Sequence, residues 1–158
     1  MGTAVLALHY QNEVLHPEGR IRVGMARDAA DRDAVIASAR RLLDGARAAG
    51  IPVVSVRIAF RPDRADLPTN APIFRDVARL GAVQEGSWGA EFLDGLGPLA
   101  GEAVVTHARI GAFGGTALHE DLQRLGVRRL IVAGVSTTSV VLTTVGQAVD
   151  LGYEVAVA

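Results

Sequence analysis

Two histidines stand directly behind short apolar runs: His9 after Ala4-Val5-Leu6-Ala7-Leu8, and His107 after Val104-Val105-Thr106. Imidazoles titrate near neutral pH, so one of a pair could act as base for a water while its protonated partner donates to a leaving group. A third polar cluster, Gly134-Val135-Ser136-Thr137-Thr138-Ser139, follows the apolar run ending at Ala133 and leads into a helical pattern. The amides of Ser139 and Val140 would lie at the start of that helix, where an anion or a developing oxyanion is stabilised. Ser139 with His9 as its base is a second chemistry, whereas Thr137 and Thr138 suit the role of helix caps. The chain has no cysteine, which removes thiol nucleophiles, thiolate metal sites and disulfides together. Two neutral histidines beside Glu13 have ligand chemistry suited to Zn²⁺ or Fe²⁺. His16 before Pro17 and His119 on the first turn of a helix read as solvent-facing, so neither a metal nor a cofactor is expected.

The elements that must hold these groups repeat one unit: an amphipathic helix, a glycine, then a β-branched strand. It occurs as residues 33–49, Gly50 and 51–58, then as residues 117–125, Gly126 and 127–133, and as residues 139–151, Gly152 and 153–158. In the first helix Val35, Ile36, Ala39, Leu42, Leu43 and Ala46 share a face, the spacing that covers a sheet. Thr116 is placed as N-cap of the second. Each glycine sits where a helix closes in a left-handed residue. The strands are near-continuous apolar runs, as burial on both faces requires. Helices alternating with such strands predict a three-layer α/β/α, Rossmann-like domain on a parallel sheet of five or six strands. His9, His107 and the turn from Gly134 to Ser139 then all lie past the carboxyl ends of strands, where such sheets bind ligands. Residues 59–99, broken by Pro62, Pro68, Pro72 and Pro98, carry one expected helix over 74–80 and read as a lid or an interface. Trp88 in that stretch is a packing residue or a ligand contact.

At 158 residues the chain is long enough for one domain, 1–158, with a substantial core. A formal charge of −1 gives no electrostatic case for nucleic acid or an anionic membrane. No apolar run approaches the roughly 20 residues that span a bilayer, and the run from Ala4 to Leu8 is too short for a signal peptide. A cytoplasmic location is the default expectation, with a small molecule as the partner.

The three segments around His9, around His107 with Ala112-Phe113-Gly114-Gly115-Thr116-Ala117-Leu118, and from Val132 to Val141 resemble the isochorismatase-like hydrolases. That superfamily includes nicotinamidases, carbamoylsarcosine amidases and isochorismatases. The resemblance implies that these segments would deliver an aspartate, a lysine and a cysteine; His9, His107 and Val140 occupy the matching positions. It also implies a cis peptide before Ser136 and an oxyanion cradle in the turn containing Val135, Ser136, Ser139 and Val140. Arg109 would meet a substrate carboxylate or make a surface or subunit salt bridge, and Tyr10, Trp88 and Phe113 would line the substrate pocket. Asn12 would tie loops together, and Glu13 would orient His9 or cap a turn. The metal motif of the nicotinamidase branch has no counterpart in Arg57-Ile58-Ala59-Phe60-Arg61. Some isochorismatases cleave a vinyl ether by acid–base chemistry without the cysteine. The resemblance therefore implies a hydrolase or lyase of a small amide, imide, ureide or enol ether acting through His9 and His107, or else an inactive relative that binds a ligand or protein. It further implies a homodimer or tetramer, and a chain that stops short of the usual C-terminal loop and helix.

Overall fold

Residues 2–22 and 30–158 are described in a computed structural model. Five parallel strands form one sheet in the order β3–β2–β1–β4–β5. They are β1 (Gly2–Leu8), β2 (Val53–Ile58), β3 (Ala103–His107), β4 (Val127–Gly134) and β5 (Glu154–Val157). Crossovers from β1 run one way to β2 and β3, and the order reverses at β4. The switch point, where ligands bind in such sheets, is thus the crevice past β1 and β4.

Successive residues of the central strand point to opposite faces, and both faces are covered. Ala4, Leu6 and Leu8 pack with Leu118, Leu122, Val140, Val141 and Ala148 under α4 (Leu118–Arg124) and α5 (Leu142–Asp150). Val5 and Ala7 pack against Ala39, Leu43 and Ala46 of α2 (Ala30–Ala48) on the other side. A one-turn helix, α1 (Asn12–Leu15), follows the first strand. The sequence pattern thus specifies the layers, and no helix among the described residues is long and apolar enough to cross a membrane.

Local details depart from expectation. The middle segment forms α3 (Pro72–Leu80) and its own cluster of Phe60, Phe74, Val77, Ala82 and Val83, so its body is packed rather than a loose flap. Proline at the helix start has no amide to leave unpaired, which moves the boundary two residues earlier than expected. Ala117, not Thr116, holds the N-cap position of α4; the Thr116 hydroxyl, one residue earlier, donates back to Ala112 O at 2.8 Å and accepts only a long 3.4 Å bond from Leu118 N. Thr137 and Thr138 are exposed members of a π-type turn, Thr137–Val141, whose N-cap residue is Ser136; no side-chain cap bond forms there. The glycines after the three helices do close them left-handed, with φ of 67° at Gly50, 66° at Gly126 and 89° at Gly152.

Gly134 ends β4 in register with Leu8, and a Cβ there would lie 2.4 Å from Leu8 O and 2.5 Å from Leu8 Cβ. Backbone cannot yield as a flexible side chain would. Gly134→Ala is expected to lower unfolding free energy by at least about 2 kcal/mol in urea denaturation, the scale of overpacking in a tight core.

Candidate active site

Past the end of β1, His9 adopts a left-handed backbone, φ 59°, which few residues other than glycine, asparagine, aspartate and histidine visit. Its amide donates to Val56 O at 2.9 Å, and Val135 N donates to Leu8 O at 3.1 Å, so both neighbouring strands pin the bend. His107 is the last residue of β3, in register with Ile58 of β2. The bend turns the His9 ring across β2 toward it. Their Nε2 atoms stand 2.6 Å apart, with ring centroids 4.9 Å apart. Both rings are buried, at 8 % and 2 % exposure.

One carbonyl decides where the protons are. His107 Nδ1 is 3.2 Å from Gly111 O, and a carbonyl only accepts, so Nδ1 carries the proton. Its Nε2 is then a lone pair, and the short contact requires His9 Nε2 to donate. His9 Nδ1 is left as a lone pair on a residue that lines a cavity of about 70 Å³. That is more than the ~10–15 Å³ one water needs. Ile58, Phe74, Ile110, Val135 and Val140 give the cavity apolar walls, and Ser136 and Ser139 its polar rim. Burial holds both imidazoles neutral. It lowers His9 well below the ordinary value, with repulsion from His107 adding to it, and lowers His107 to about 4 against a partial opposing effect of its bond to Gly111 O.

The peptide between Val135 and Ser136 is cis, where the resemblance places it. The turn that follows is wound wide, with Val141 N reaching Ser136 O at 3.3 Å, and Ser139 N making only a long 3.4 Å bond to the same carbonyl. Val140, where the resemblance implies a cysteine, is 2 % exposed and packs into the core as well as the cavity wall. Among the described residues no hydroxyl bonds to His9, so no nucleophile–base pair is assembled around Ser139. Arg109 reaches the cavity rim and a neighbouring cleft of about 690 Å³; its guanidinium donates to Asp66 O at 3.1 Å and Ala108 O at 2.7 Å.

Other expected lining residues lie elsewhere. Tyr10 is buried on the opposite face with Val5 and Ala39, because the left-handed bend at His9 sends the next side chain under α2. Trp88 is 47 % exposed and packs edge-on against His16. Phe113 stacks on Tyr153 at 6.0 Å. Glu13 does not orient His9: it is buried and accepts from Arg20, at 2.7 Å from Nη2 and 2.8 Å from the backbone amide. Asn12 does tie loops, donating to Trp88 O at 3.0 Å. His16 and His119 are half-buried rather than solvent-facing, the latter through a 2.9 Å bond to Tyr153 OH. Among the described residues no three His, Asp or Glu side chains gather as a metal site.

Gln11, Thr144 and Gln147 were not singled out for the site from sequence. Gln11 is fully buried and brackets Ile58, donating to its carbonyl at 2.9 Å and accepting from its amide at 2.8 Å, which fixes the strand position beside His107. Thr144 lies one helical turn after Val140 on the buried face of α5. A polar residue on that apolar stripe was the available signal.

The isochorismatase domain family matches residues 3–158. A secreted isochorismatase effector, Isc1, of Verticillium dahliae is 34 % identical over 117 residues, covering 74 % of this chain and 53 % of its own length. The chain thus spans about half of that relative. A probable inactive nicotinamidase of Arabidopsis thaliana is 31 % identical over 159 residues, covering 96 % of this chain and 74 % of the relative. The crystal structure of an isochorismatase family protein from Desulfovibrio vulgaris superposes with a TM-score of 0.84 at 31 % identity, covering 99 % of this chain and 78 % of that one.

An unfolded histidine takes up its proton near pH 6.5, whereas folded His107 resists to about 4. Between those values the unfolded chain binds more protons, so this contribution to stability is complete above pH 6.5 and declines as pH falls to about 4. A shift of that size corresponds to a loss of roughly 3 kcal/mol. Urea unfolding at about pH 7.5, 5.5 and 4.5 is expected to show that decline, flattened in a His9→Asn/His107→Gln double variant. Asparagine tolerates the left-handed backbone, and the paired carboxylates titrate alike in both proteins.

Proposed function

The chain belongs to the isochorismatase family, and we propose that it hydrolyses a small amide, imide or ureide by activating water on a histidine pair, with no covalent intermediate. The observation that carries this reading is the 2.6 Å bond between His9 and His107, which leaves a lone pair on Nδ1 of His9, a residue that lines the cavity. A water there attacks the carbonyl carbon while giving a proton to Nδ1. The proton on His9 Nε2 passes to His107 Nε2, so the positive charge comes to rest on His107, which Gly111 O steadies through Nδ1–H. The low basicity imposed by burial makes the loaded pair a strong acid. It returns the proton to the leaving nitrogen as the tetrahedral intermediate collapses, and the C–N bond breaks. The amides of Ser139 and Val140, two residues that line the cavity, would hold the oxyanion.

A pair that is neutral at rest favours carbonyl hydrolysis over enol-ether cleavage, which must begin by protonating carbon. The same neutrality supports a second reading, a ligand-binding protein without turnover, because no protonated acid waits in the resting site.

Mass-spectrometric turnover on a panel of small amides, ureides, cyclic imides and enol ethers separates the two. Wild type is expected to hydrolyse at least one carbonyl compound, with His9→Asn and His107→Gln each slower by about 10²-fold or more, the usual scale for lost general-base catalysis. The rate should hold well below pH 6.5 and fall only as the pair protonates toward pH 4. Turnover unchanged in both variants would exclude the pair. Saturable binding of a panel compound without conversion would establish the second reading.

A further inference from the structure

We propose that the Thr144 hydroxyl is a positioning group that sets the proton arrangement of the His9–His107 pair, acting through the peptide unit between Gly111 and Ala112. The proposal builds on the reading of that pair as a base, but what it asserts is measurable without substrate.

The C=O of Gly111 and the N–H of Ala112 are opposite ends of one planar trans peptide. Its carbonyl end accepts from His107 Nδ1 at 3.2 Å, and its amide end donates to Thr144 Oγ1 at 3.1 Å. Gly111 and Ala112 are buried, and Thr144 is fully enclosed, so bulk solvent does not compete for either bond. Gly111 allows α5 to approach this closely: a Cβ would lie 2.2 Å from Gln147 Oε1 and 2.9 Å from Thr143 Cγ2. The next amide, Phe113 N, donates to Gln147 Oε1 at 3.3 Å.

Turning that one peptide over would reverse the whole chain of bonds. His107 Nδ1 would then face an N–H and would have to accept, its proton would move to Nε2, and His9 Nε2 would become the acceptor. His9 would carry its proton on Nδ1 and offer the cavity a donor instead of a lone pair. By holding the N–H end, Thr144 selects between these two states without itself hydrogen-bonding to either ring.

The test is ¹⁵N–¹H correlation NMR of the imidazoles in the full chain, comparing wild type with Thr144→Val, Thr144→Ser and Gln147→Leu. Wild type is expected to bear its protons on His107 Nδ1 and His9 Nε2. Thr144→Val keeps the shape but strands a buried amide, so the peptide reorients and the proton signals shift to His107 Nε2 and His9 Nδ1. Thr144→Ser restores the wild-type pattern, and Gln147→Leu, which loosens only the neighbouring amide, retains it. A wild-type proton on His107 Nε2, an unchanged pattern in Thr144→Val, or no rescue by serine would each overturn the proposal. Should the valine variant not fold, Thr144→Ala and the wild-type spectrum decide it. Absence of turnover across the substrate panel, with the expected wild-type spectrum, would remove the hydrolytic reading and leave this one standing.

Discussion

Burial of the central strand on both faces is the constraint from which the rest follows. Ala4 through Leu8 are at most 1 % exposed, between α2 on one side and α4 with α5 on the other. A polar side chain left unpartnered within such a strand is costly. Ala4 to Leu8 carry none, and β2 beside them has one buried hydroxyl without a partner among the described residues, Ser55 Oγ. Polar chemistry can therefore begin only where the strand stops, and it begins at once: His9, Gln11, Asn12 and Glu13 follow, all buried, and each bonded in turn to a loop or strand around it. The site is the place where the sheet's unsatisfied ends are gathered up.

That logic was largely visible in the amino-acid sequence. Three helix–glycine–strand units with doubly buried strands dictate a parallel three-layer domain, and histidines directly behind two strands dictate a pair at one end of the sheet. What could not be read was direction within the turns. The left-handed bend at His9 puts its ring beside His107 and its neighbour Tyr10 on the far face, an outcome that strand periodicity does not encode. Glu13 was equally opaque: its partner Arg20 approaches through a tight loop, not through helical or strand spacing. Thr116, Thr137 and Thr138 carry the right chemistry for caps, yet a wide turn and a back-bond to Ala112 took their places.

The pair also shows how an apolar pocket accommodates polar groups without charge. The resemblance implies an acid, a base and a thiol at these positions, a set that holds ions in a buried place and needs exact pairing to offset desolvation. Two imidazoles and a valine need none of that. The two Nε2 atoms satisfy each other, one carbonyl takes His107 Nδ1, and the valine merges with the core, which leaves only His9 Nδ1 open. The cost of burial appears instead as depressed basicity, which the proposed reaction turns into acidity at the moment the leaving group departs.

The satellite cluster of Phe60, Phe74, Val77, Ala82 and Val83 has none of its buried members in the two clusters that hold the sheet. Phe74, with its neighbour Ile73, nevertheless forms part of the cavity wall. The α3 side of that wall thus rests on a cluster of its own, while Val135 and Val140 elsewhere in it belong to the clusters that hold the sheet, and Ile21 packs against both the α3 cluster and the α2 face. Substitutions at Ile73 and Phe74 can therefore reshape what the cavity admits while the two clusters on the faces of the sheet stay as they are, as a lock is rekeyed without rehanging the door.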